Sequence, residues 1–243
     1  MTSPELSIIV PAYNEEVLIA STLDGIRAYL ATRPERYEII VIDDGSQDRT
    51  VEAVKHWQAC NEADLRLLTN PQNKGKGFSI RRGVLESRGQ FIIFIDADLP
   101  YELDAIDKFL QALRRGSDLA VGSRVLPGSQ VKGVPIIRFF SGQIFSLMVQ
   151  TVLFTGLPDT QCGFKSFKAA AAKEIFRRLT IDGFGFDVEM LYVARKHKFA
   201  IQPVAVQMID HRHRSRVRLF VDSCKMFANL FTVRWNDLRG KYK

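Results

Sequence analysis

The sequence contains little of what marks secreted or zinc-binding proteins. Its 243 residues include three cysteines, Cys60, Cys162 and Cys224, which are odd in number and widely spaced. This pattern fits neither a disulfide framework nor a zinc site, and it is typical of a reducing compartment. Because an apolar strand pattern begins at Leu6 with no signal peptide before it, we expect a cytoplasmic location.

Complete glycine-rich nucleotide motifs are also missing. The segment Asn73-Lys-Gly-Lys-Gly77 lacks the Gly-Lys-Ser/Thr ending of a P-loop and the full Gly-x-Gly-x-x-Gly of a dinucleotide fold. Their absence argues against an ATPase and against a dehydrogenase. The segment still suits a phosphate group, because its glycines permit close backbone approach. A helix beginning at Lys76 would add its N-terminus and two lysines.

No Pro/Gly/Ser-rich linker, repeat or low-complexity tract divides the chain, so we expect one large domain with a C-terminal appendage. The formal net charge of +7 favours anionic partners such as nucleotides, phosphorylated lipids or acidic membrane surfaces. Nucleic acid is not expected as a partner. The basic run His211–Arg218 stands late in the chain, without a recognition helix, stacking aromatics or a zinc module beside it.

The sequence does contain a regular alternation of strand and helix patterns. Apolar runs predict strands at Leu6–Val10, Tyr37–Ile42, Leu65–Thr69, Gln90–Ile95 and Asp118–Val121. Helical spacing predicts helices that begin near Asn14, as an N-cap, and near Asp48, Lys76 and Glu102. Strands that alternate with helices form βαβ units. The expected fold class is therefore α/β, a single Rossmann-like, mostly parallel sheet with helices on both faces.

An apolar segment, Pro135–Gly156, follows this regular part. It is nearly long enough to span a bilayer, but Arg138, Gln143 and Gln150 lie inside it. We favour a helix that packs on the domain or lies in an interface, and a membrane span is the alternative.

The last predicted helix, Val217–Trp235, has an apolar stripe of helical period and is followed by basic residues. An interfacial tryptophan next to cations suits an anionic membrane surface, whereas the stripe alone equally fits a helix that covers the sheet. We therefore divide the chain into a domain of residues 1–216 and an amphipathic C-terminal helix of residues 217–243.

Acidic side chains follow three of the predicted strands. Glu15 follows the first strand, Asp43 and Asp44 follow the second, and Asp96 and Asp98 follow the fourth. Because the carboxyl ends of parallel strands lie at one edge of a sheet, we expect these groups to converge there. Paired carboxylates suit Mg²⁺ or Mn²⁺, completed by phosphate oxygens and water. An acidic turn that caps the next helix is the alternative for Asp96 and Asp98 alone.

Several motifs resemble one known family in the same order. These motifs are Ile8–Glu16, Glu38–Thr50, Phe94–Leu99, Gly122–Arg124, Asp159–Lys165 and Phe186–Glu189. They resemble the inverting family 2 glycosyltransferases of the GT-A fold, and the later motifs resemble the dolichyl-phosphate β-glucosyltransferase branch. Dolichyl-phosphate mannose synthases are close relatives of that branch. The resemblance extends from Leu6 to about Leu219.

The resemblance implies roles for residues at the nucleotide-sugar site. It implies that the nucleoside is held by Pro11, Tyr13, Glu15 and Asp43. It also implies that Asp96 and Asp98 hold the metal on the diphosphate. Lys76 is expected to bind the donor's phosphates because of its place in the glycine-rich segment at a helix N-terminus. The metal would be Mg²⁺ or Mn²⁺, acting as a Lewis acid on the departing nucleoside diphosphate.

A second group of roles concerns the acceptor and the sugar. By resemblance, Arg124 and Arg138 grip the acceptor phosphate, and with Asp98 they form the expected catalytic set. Lys165 and the pair Ser215 and Arg216 are expected to close over the diphosphate. The expected sugar-hydroxyl contacts are Asp159, Asp187 and Glu189. Asp187 could instead cap the helix that follows it, and Lys165 could be a solvated turn residue.

The resemblance implies a metal-dependent transfer of a hexose, with glucose from UDP-glucose favoured, onto a polyprenyl phosphate. A phosphate monoester is largely ionised at neutral pH, so such an acceptor needs no general base. The alternatives are transfer of mannose from GDP-mannose and a catalytically idle domain that binds nucleotide sugars as a scaffold. We expect peripheral attachment to the cytoplasmic face of a membrane.

Overall fold

The computed structural model of the protein describes residues 3–61, 63–133, 136–153, 156–209 and 219–243. For residues 136–141 and 219–224 it describes the backbone alone. Ser215 and Arg216 lie outside the described residues, and so does the side chain of Arg138.

The strands of the described residues form one large sheet and one small sheet. They are β1 Leu6–Ala12, β2 Tyr37–Asp43, β3 Leu65–Thr69, β4 Phe91–Phe94, β5 Leu119–Ser123, β6 Gln130–Lys132, β7 Lys165–Lys168, β8 Ile201–Ala205 and β9 Gln207–Ile209. The large sheet has the order β3-β2-β1-β4-β7-β5-β8, and β6 pairs with β9. Within the large sheet β7 is antiparallel to both of its neighbours, and the other pairs are parallel. The expected mostly parallel α/β sheet is confirmed.

Helices cover both faces of the large sheet. They are α1 Ile19–Leu30, α2 Thr50–Cys60, α3 Lys76–Glu86, α4 Ala105–Arg114, α5 Ile136–Leu153, α6 Ala169–Phe176, α7 Phe186–Lys196 and α8 Leu219–Leu238. One hydrophobic core joins α1, α2 and α4 to the sheet. The other core joins α3, α5, α6, α7 and α8 to the opposite face. Alternate residues of β1 and β2 enter the two cores, as expected for strands buried on both sides.

The expected N-cap at Asn14 is wrong. Helix α1 begins at Ile19, and its N-cap Leu18 provides no side-chain cap. Asn14 instead has a φ of 52°, its backbone N–H donates to Ser46 Oγ at 2.8 Å, and its Oδ1 accepts from the Gln47 amide at 2.8 Å. Asn14 therefore joins the chain leaving β1 to the chain leaving β2, rather than capping a helix.

Sequence patterns did not predict β7. Lys165 and Ser166 interrupt its apolar character, yet both are fully buried between β4 and β5. The strand enters the sheet antiparallel, so it does not follow the βαβ rule that served for the first five strands. The strand contains a lysine because Lys165 is paired with Asp187, not because the strand is exposed.

The apolar segment after β6 forms α5, whose Phe145, Val149 and Leu153 are buried against the domain. This agrees with the interpretation of a helix packed on the domain. Among the described residues, no helix combines the length and the apolar character needed to cross a bilayer.

The C-terminal residues are tied into the same core. Tyr242 is fully buried, and its hydroxyl donates to Glu189 Oε1 at 2.5 Å. Glu189 also accepts from the backbone amides of Thr180 and Ile181 at 2.9 Å each. This fully buried carboxylate therefore connects α7, the segment before it and the C-terminus.

Replacing Tyr242 with Phe should lower the free energy of unfolding by about 1–3 kcal/mol, because the buried Glu189 carboxylate loses a donor. Urea unfolding followed by circular dichroism measures this difference. The matched control is Tyr37→Phe, in a half-buried residue at the start of β2, with an expected change within about 0.5 kcal/mol. Equal effects in the two variants would contradict an anchoring role for Tyr242.

Candidate active site

The carboxyl ends of three adjacent strands bring the predicted acidic residues to one edge. Ala12 of β1 pairs with Asp43 at the end of β2, and Ile9 of β1 pairs with Phe94 at the end of β4. Asp96 follows two residues after β4 and Glu15 three residues after β1. The predicted convergence at this edge is confirmed for the strand ends that carry these side chains.

Two neighbouring carboxylates organise the loops at this edge. The buried Asp43 accepts from the backbone amides of Gly45 at 3.2 Å and Ser46 at 3.2 Å. The buried Asp44 accepts from the amides of Lys74 at 3.0 Å and Gly75 at 2.8 Å. Asp44 therefore holds the glycine-rich segment in place, a role that the strand-end position alone did not reveal.

The glycines of that segment are required by close packing. Gly75 has a φ of 105°, and a Cβ on it would lie 2.5 Å from the Asp182 carbonyl oxygen. A Cβ on Gly77 would lie 2.6 Å from Phe186 Cβ. The start of α3 is thereby packed directly against the start of α7.

Lys76 lies among three carboxylates. Its Nζ is 2.5 Å from Asp96 Oδ1. Burial acts to lower the pKa of the Lys76 ammonium. The Asp96 and Asp187 carboxylates, with a smaller contribution from Asp98, more than offset burial, so the pKa of Lys76 is raised. The lysine is therefore charged at neutral pH. The charges of Asp96, Asp98 and Asp187 all act on its ammonium group.

The acidic pair after β4 suits a metal that is shared with a ligand. A Cβ on Gly163 would lie 2.7 Å from Asp96 Oδ2, so the backbone leaves that oxygen room that a side chain would fill. Within the described part of the chain, no group of three His, Cys, Asp or Glu side chains is placed to hold a metal alone. Mg²⁺ is commonly held by one or two carboxylates plus substrate phosphates, and the Asp96 and Asp98 pair fits that donor set.

The half-buried Arg124 and the buried Asp159 form a bidentate pair. Arg124 Nε donates to Asp159 Oδ2 at 2.7 Å, and Nη2 donates to Oδ1 at 3.0 Å. The backbone amides of Arg124 and Gln161 bond the same carboxylate. Burial acts to raise the pKa of Asp159, but the Arg124 guanidinium more than offsets it and holds that pKa below its usual range. These bonds favour a positioning role for Asp159 over the expected sugar contact.

Lys165 and Asp187 form a second buried pair. Lys165 is fully buried, and its Nζ donates to Asp187 Oδ1 at 2.6 Å and to the Cys162 carbonyl oxygen at 2.5 Å. Lys165 is therefore not a solvated turn residue, and the two bonds of its ammonium are directed into the protein. The geometry favours a role in orienting Asp187 over the expected closure on a diphosphate.

The remaining residues that were expected at the site differ in their burial and in their hydrogen-bond partners. Pro11 is half-buried at the end of β1, and Tyr13 is half-buried two residues later. Glu15 is buried, and its backbone amide donates to Thr50 Oγ1 at 2.7 Å. Asp187 is the second residue of α7, whose N-cap is Gly185, so the alternative capping role is wrong. Glu189 is enclosed by the anchoring bonds described above, which favour a structural role over a sugar contact.

Some residues that shape the site gave no signal along the sequence. Thr22 Oγ1 donates to the Ala97 carbonyl oxygen at 2.5 Å, which fixes the turn between the two aspartates. The Gly163 backbone amide donates to Tyr101 Oη at 3.2 Å. Both bonds join residues more than sixty positions apart, so no local pattern could have predicted them.

Comparison with known protein families matches residues 7–176 to the family described as glycosyl transferase family 2. The chain belongs to glycosyl transferase family 2. The dolichyl-phosphate beta-glucosyltransferase of Dictyostelium discoideum is 35% identical over 250 residues, covering 98% of this chain and 76% of that protein. The Homo sapiens protein of the same name is 33% identical over 252 residues, covering 98% and 78%.

Solved structures of glycosyltransferases have the same fold as this family 2 member. Glucosyl-3-phosphoglycerate synthase from Mycobacterium tuberculosis, in complex with Mn²⁺, UDP-glucose and phosphoglyceric acid, aligns with a TM-score of 0.73. The alignment covers 95% of this chain and 79% of that chain at 20% identity. The same synthase with Mg²⁺ and UDP aligns with a TM-score of 0.72. The expected GT-A fold is thereby confirmed for this glycosyltransferase.

Gly163→Ala should weaken Mn²⁺ binding by the glycosyltransferase roughly 10–100-fold, because the added Cβ displaces Asp96. Electron paramagnetic resonance of free Mn²⁺ measures the affinity. The matched control is Gly183→Ala, since a Cβ there meets no atom within 4 Å. Unchanged Mn²⁺ affinity in a folded Gly163→Ala protein would contradict a metal site that depends on the space beside Asp96.

Arg124→Gln should lower the free energy of unfolding at neutral pH by about 3–5 kcal/mol, because it leaves a buried carboxylate unpaired. The pKa of Asp159 is lower in the folded protein than in the unfolded chain, where it is about 3.9. The pair therefore adds to the free energy of unfolding when the pH is above about 3.9, and this contribution is lost as the pH falls through the pKa of the folded state. The difference in free energy of unfolding between the unsubstituted protein and Arg124→Gln should therefore become smaller as the pH is lowered. Urea unfolding at two pH values measures this difference. Adding Asp159→Asn should recover part of the loss, and no recovery would contradict the pairing.

Proposed function

We propose that this glycosyltransferase moves glucose from UDP-glucose to a polyprenyl phosphate, with inversion at the anomeric carbon and with Mg²⁺ or Mn²⁺ as cofactor. The observation that carries the proposal is 33–35% identity to dolichyl-phosphate beta-glucosyltransferases over 98% of the chain. The fold shared with a synthase crystallised with Mn²⁺ and UDP-glucose supports the choice of donor and metal.

The donor would lie along the edge formed by β1, β2 and β4. Pro11, Tyr13, Glu15 and Asp43 are at the end of β1 and β2, where a nucleoside would be held. Lys76 is beside Asp96, so its ammonium can neutralise part of the diphosphate charge. Asp96 and Asp98 would hold the metal, which when bound adds further charge neutralisation at the leaving diphosphate.

The acceptor phosphate would bind where Arg124 is held rigid by Asp159, with Arg138 at the start of α5 as a second cation. An ionised phosphate oxygen attacks the anomeric carbon from the side opposite the leaving UDP, so the sugar is inverted and no proton has to be removed. Positioning and charge neutralisation then account for most of the rate acceleration. Asp187, oriented by Lys165, would contact a sugar hydroxyl.

A lipid acceptor requires contact with a membrane. We propose peripheral binding at the cytoplasmic face through α8 and the neighbouring α5. Phe227, Phe231 and Trp235 of α8 are exposed, and Arg239 stacks 5.5 Å from the Trp235 ring. Exposed aromatics next to cations suit the interface of an anionic membrane.

Transfer can be tested with UDP-glucose, Mn²⁺ and a short-chain polyprenyl phosphate in detergent, with the product's anomeric configuration read by NMR. We expect a β-linked glucosyl phosphate. Asp98→Asn should lower turnover roughly 10²–10³-fold, because it removes charge from the metal site. Asp64→Asn, in an exposed residue before β3 at the opposite edge of the sheet, is the matched control and should keep full activity.

Other outcomes would replace the proposal. Donor binding raises thermal stability by mass action, so a panel of nucleotide sugars with Mn²⁺ compares the candidates directly. Stabilisation and turnover with GDP-mannose alone would indicate a mannosyltransferase. Stabilisation by a donor with no turnover on any acceptor would indicate a nucleotide-sugar-binding scaffold.

A further inference from the structure

A basic pocket lies at the other end of α7 from the candidate active site. Its volume is about 650 Å³, and its cations are Arg195, Lys196, Lys198 and Arg234, with Asp237 as the one carboxylate in its lining. These residues stand at the carboxyl ends of α7 and α8, beside the last residue of α5.

The pocket is separate from the catalytic edge. Asp187 is in the first turn of α7 and Arg195 in its last turn, so they are roughly 12 Å apart along the helix axis. After α7 the chain reaches Ala200, whose carbonyl oxygen accepts from the amide of Leu119 at the start of β5. The pocket therefore lies towards the amino ends of β5 and β8, whereas the site lies at carboxyl ends of strands.

Two of the four cations have structural partners. Lys196 pairs with Asp237, which also accepts from the Tyr192 hydroxyl at 2.6 Å. Arg234 Nε donates to the Val152 carbonyl oxygen at 2.9 Å and so joins α8 to α5. These bonds join α8 to α7 and to α5 beside the pocket.

The other two cations, Arg195 and Lys198, are exposed at its rim. Across the part of the chain that the structure describes, no carboxylate lies within 4.0 Å of either charge. Lys198 has a φ of 59°, at a position after a helix where glycine is favoured.

A cation near the C-terminus of a helix stabilises the helix dipole, and Lys196, which pairs with Asp237, already provides such a cation for α7. Arg195 and Lys198 thus provide positive charge that the fold itself does not use.

An apolar strip lies on the two helices that border the pocket. Ten large hydrophobic side chains are exposed in the described part of the molecule. Six of them belong to α5 and α8, namely Ile144, Leu147, Phe227, Phe231, Trp235 and Leu238. Their concentration on two helices that contact each other favours an interaction surface over scattered exposure.

We infer that the basic pocket binds the phosphate headgroup of an anionic membrane lipid, while the apolar strip lies in the bilayer interface. Arg195 would engage the phosphate through its planar guanidinium and Lys198 as a point charge. The combination of unneutralised cations with adjacent exposed aromatics is complementary to an anionic bilayer and not to a soluble anion alone. This inference rests on the peripheral membrane binding proposed above, and it adds a specific lipid site.

The test is binding of the full chain to phosphatidylcholine vesicles with and without phosphatidylserine, measured by co-sedimentation at low salt. We expect Arg195→Gln with Lys198→Gln to weaken binding to the anionic vesicles roughly tenfold or more. The matched control, Lys55→Gln with Arg115→Gln, removes the same charge from exposed residues of α2 and the end of α4, on the other face of the sheet. Control binding should match that of the unsubstituted chain.

Three results would overturn the inference. Equal weakening in both double variants would show that overall charge, not the pocket, attracts the membrane. Equal binding of the unsubstituted chain to neutral and anionic vesicles would exclude headgroup charge. Displacement from anionic vesicles by soluble glycerol 3-phosphate would assign the pocket to a free phosphate compound.

The proposed glucose transfer and the proposed lipid site are tested by different assays. Transfer of glucose to a short-chain acceptor in detergent needs no vesicle, and the Arg195→Gln/Lys198→Gln protein should retain it. Loss of vesicle binding with unchanged transfer supports the lipid site. Absence of transfer in the unsubstituted chain would contradict the proposed function. The comparison of vesicle binding between the two double variants would still test the lipid site.

Discussion

The architecture of the site depends on pairing lysines with carboxylates at one edge of the sheet. A buried charge is tolerated only beside an opposite charge with its other bonds satisfied. Lys165 meets this condition through Asp187 and the Cys162 carbonyl oxygen, and so connects β7 to the first turn of α7. The half-buried Lys76 pairs in a similar way with Asp96, which connects α3 to the residues after β4. Moving any one of these elements would leave a charged group without its partner.

Close backbone packing reinforces the charge pairing. The glycine-rich segment before α3 is held by Asp44 and lies against the start of α7 with no room for side chains. Gly163 leaves the same kind of space next to Asp96. The proposed donor and acceptor sites would therefore be preorganised by backbone contacts, which is how electrostatic catalysis avoids reorganisation during reaction.

Much of the fold was predictable because its first half follows local rules. The bounds of β3 are those predicted, and β1, β2, β4 and β5 differ from prediction by one or two residues at either end. Apolar runs separated by helical patterns suffice for such units. Prediction was wrong at Asn14, where a distant partner, Ser46, replaced the local capping pattern. It missed β7, whose lysine is buried only because Asp187 lies opposite.

By itself the sequence determined the α/β class, the family motifs and the edge at which the acidic residues gather, because these follow from short-range periodicity and strand direction. Only the tertiary structure decided which charges neutralise each other. It paired Arg124 with Asp159 and Lys165 with Asp187, enclosed Glu189 against Tyr242, and left Arg195 and Lys198 without a carboxylate among the described residues. The reason is that pairing depends on distances between segments far apart in the chain, which no local pattern records.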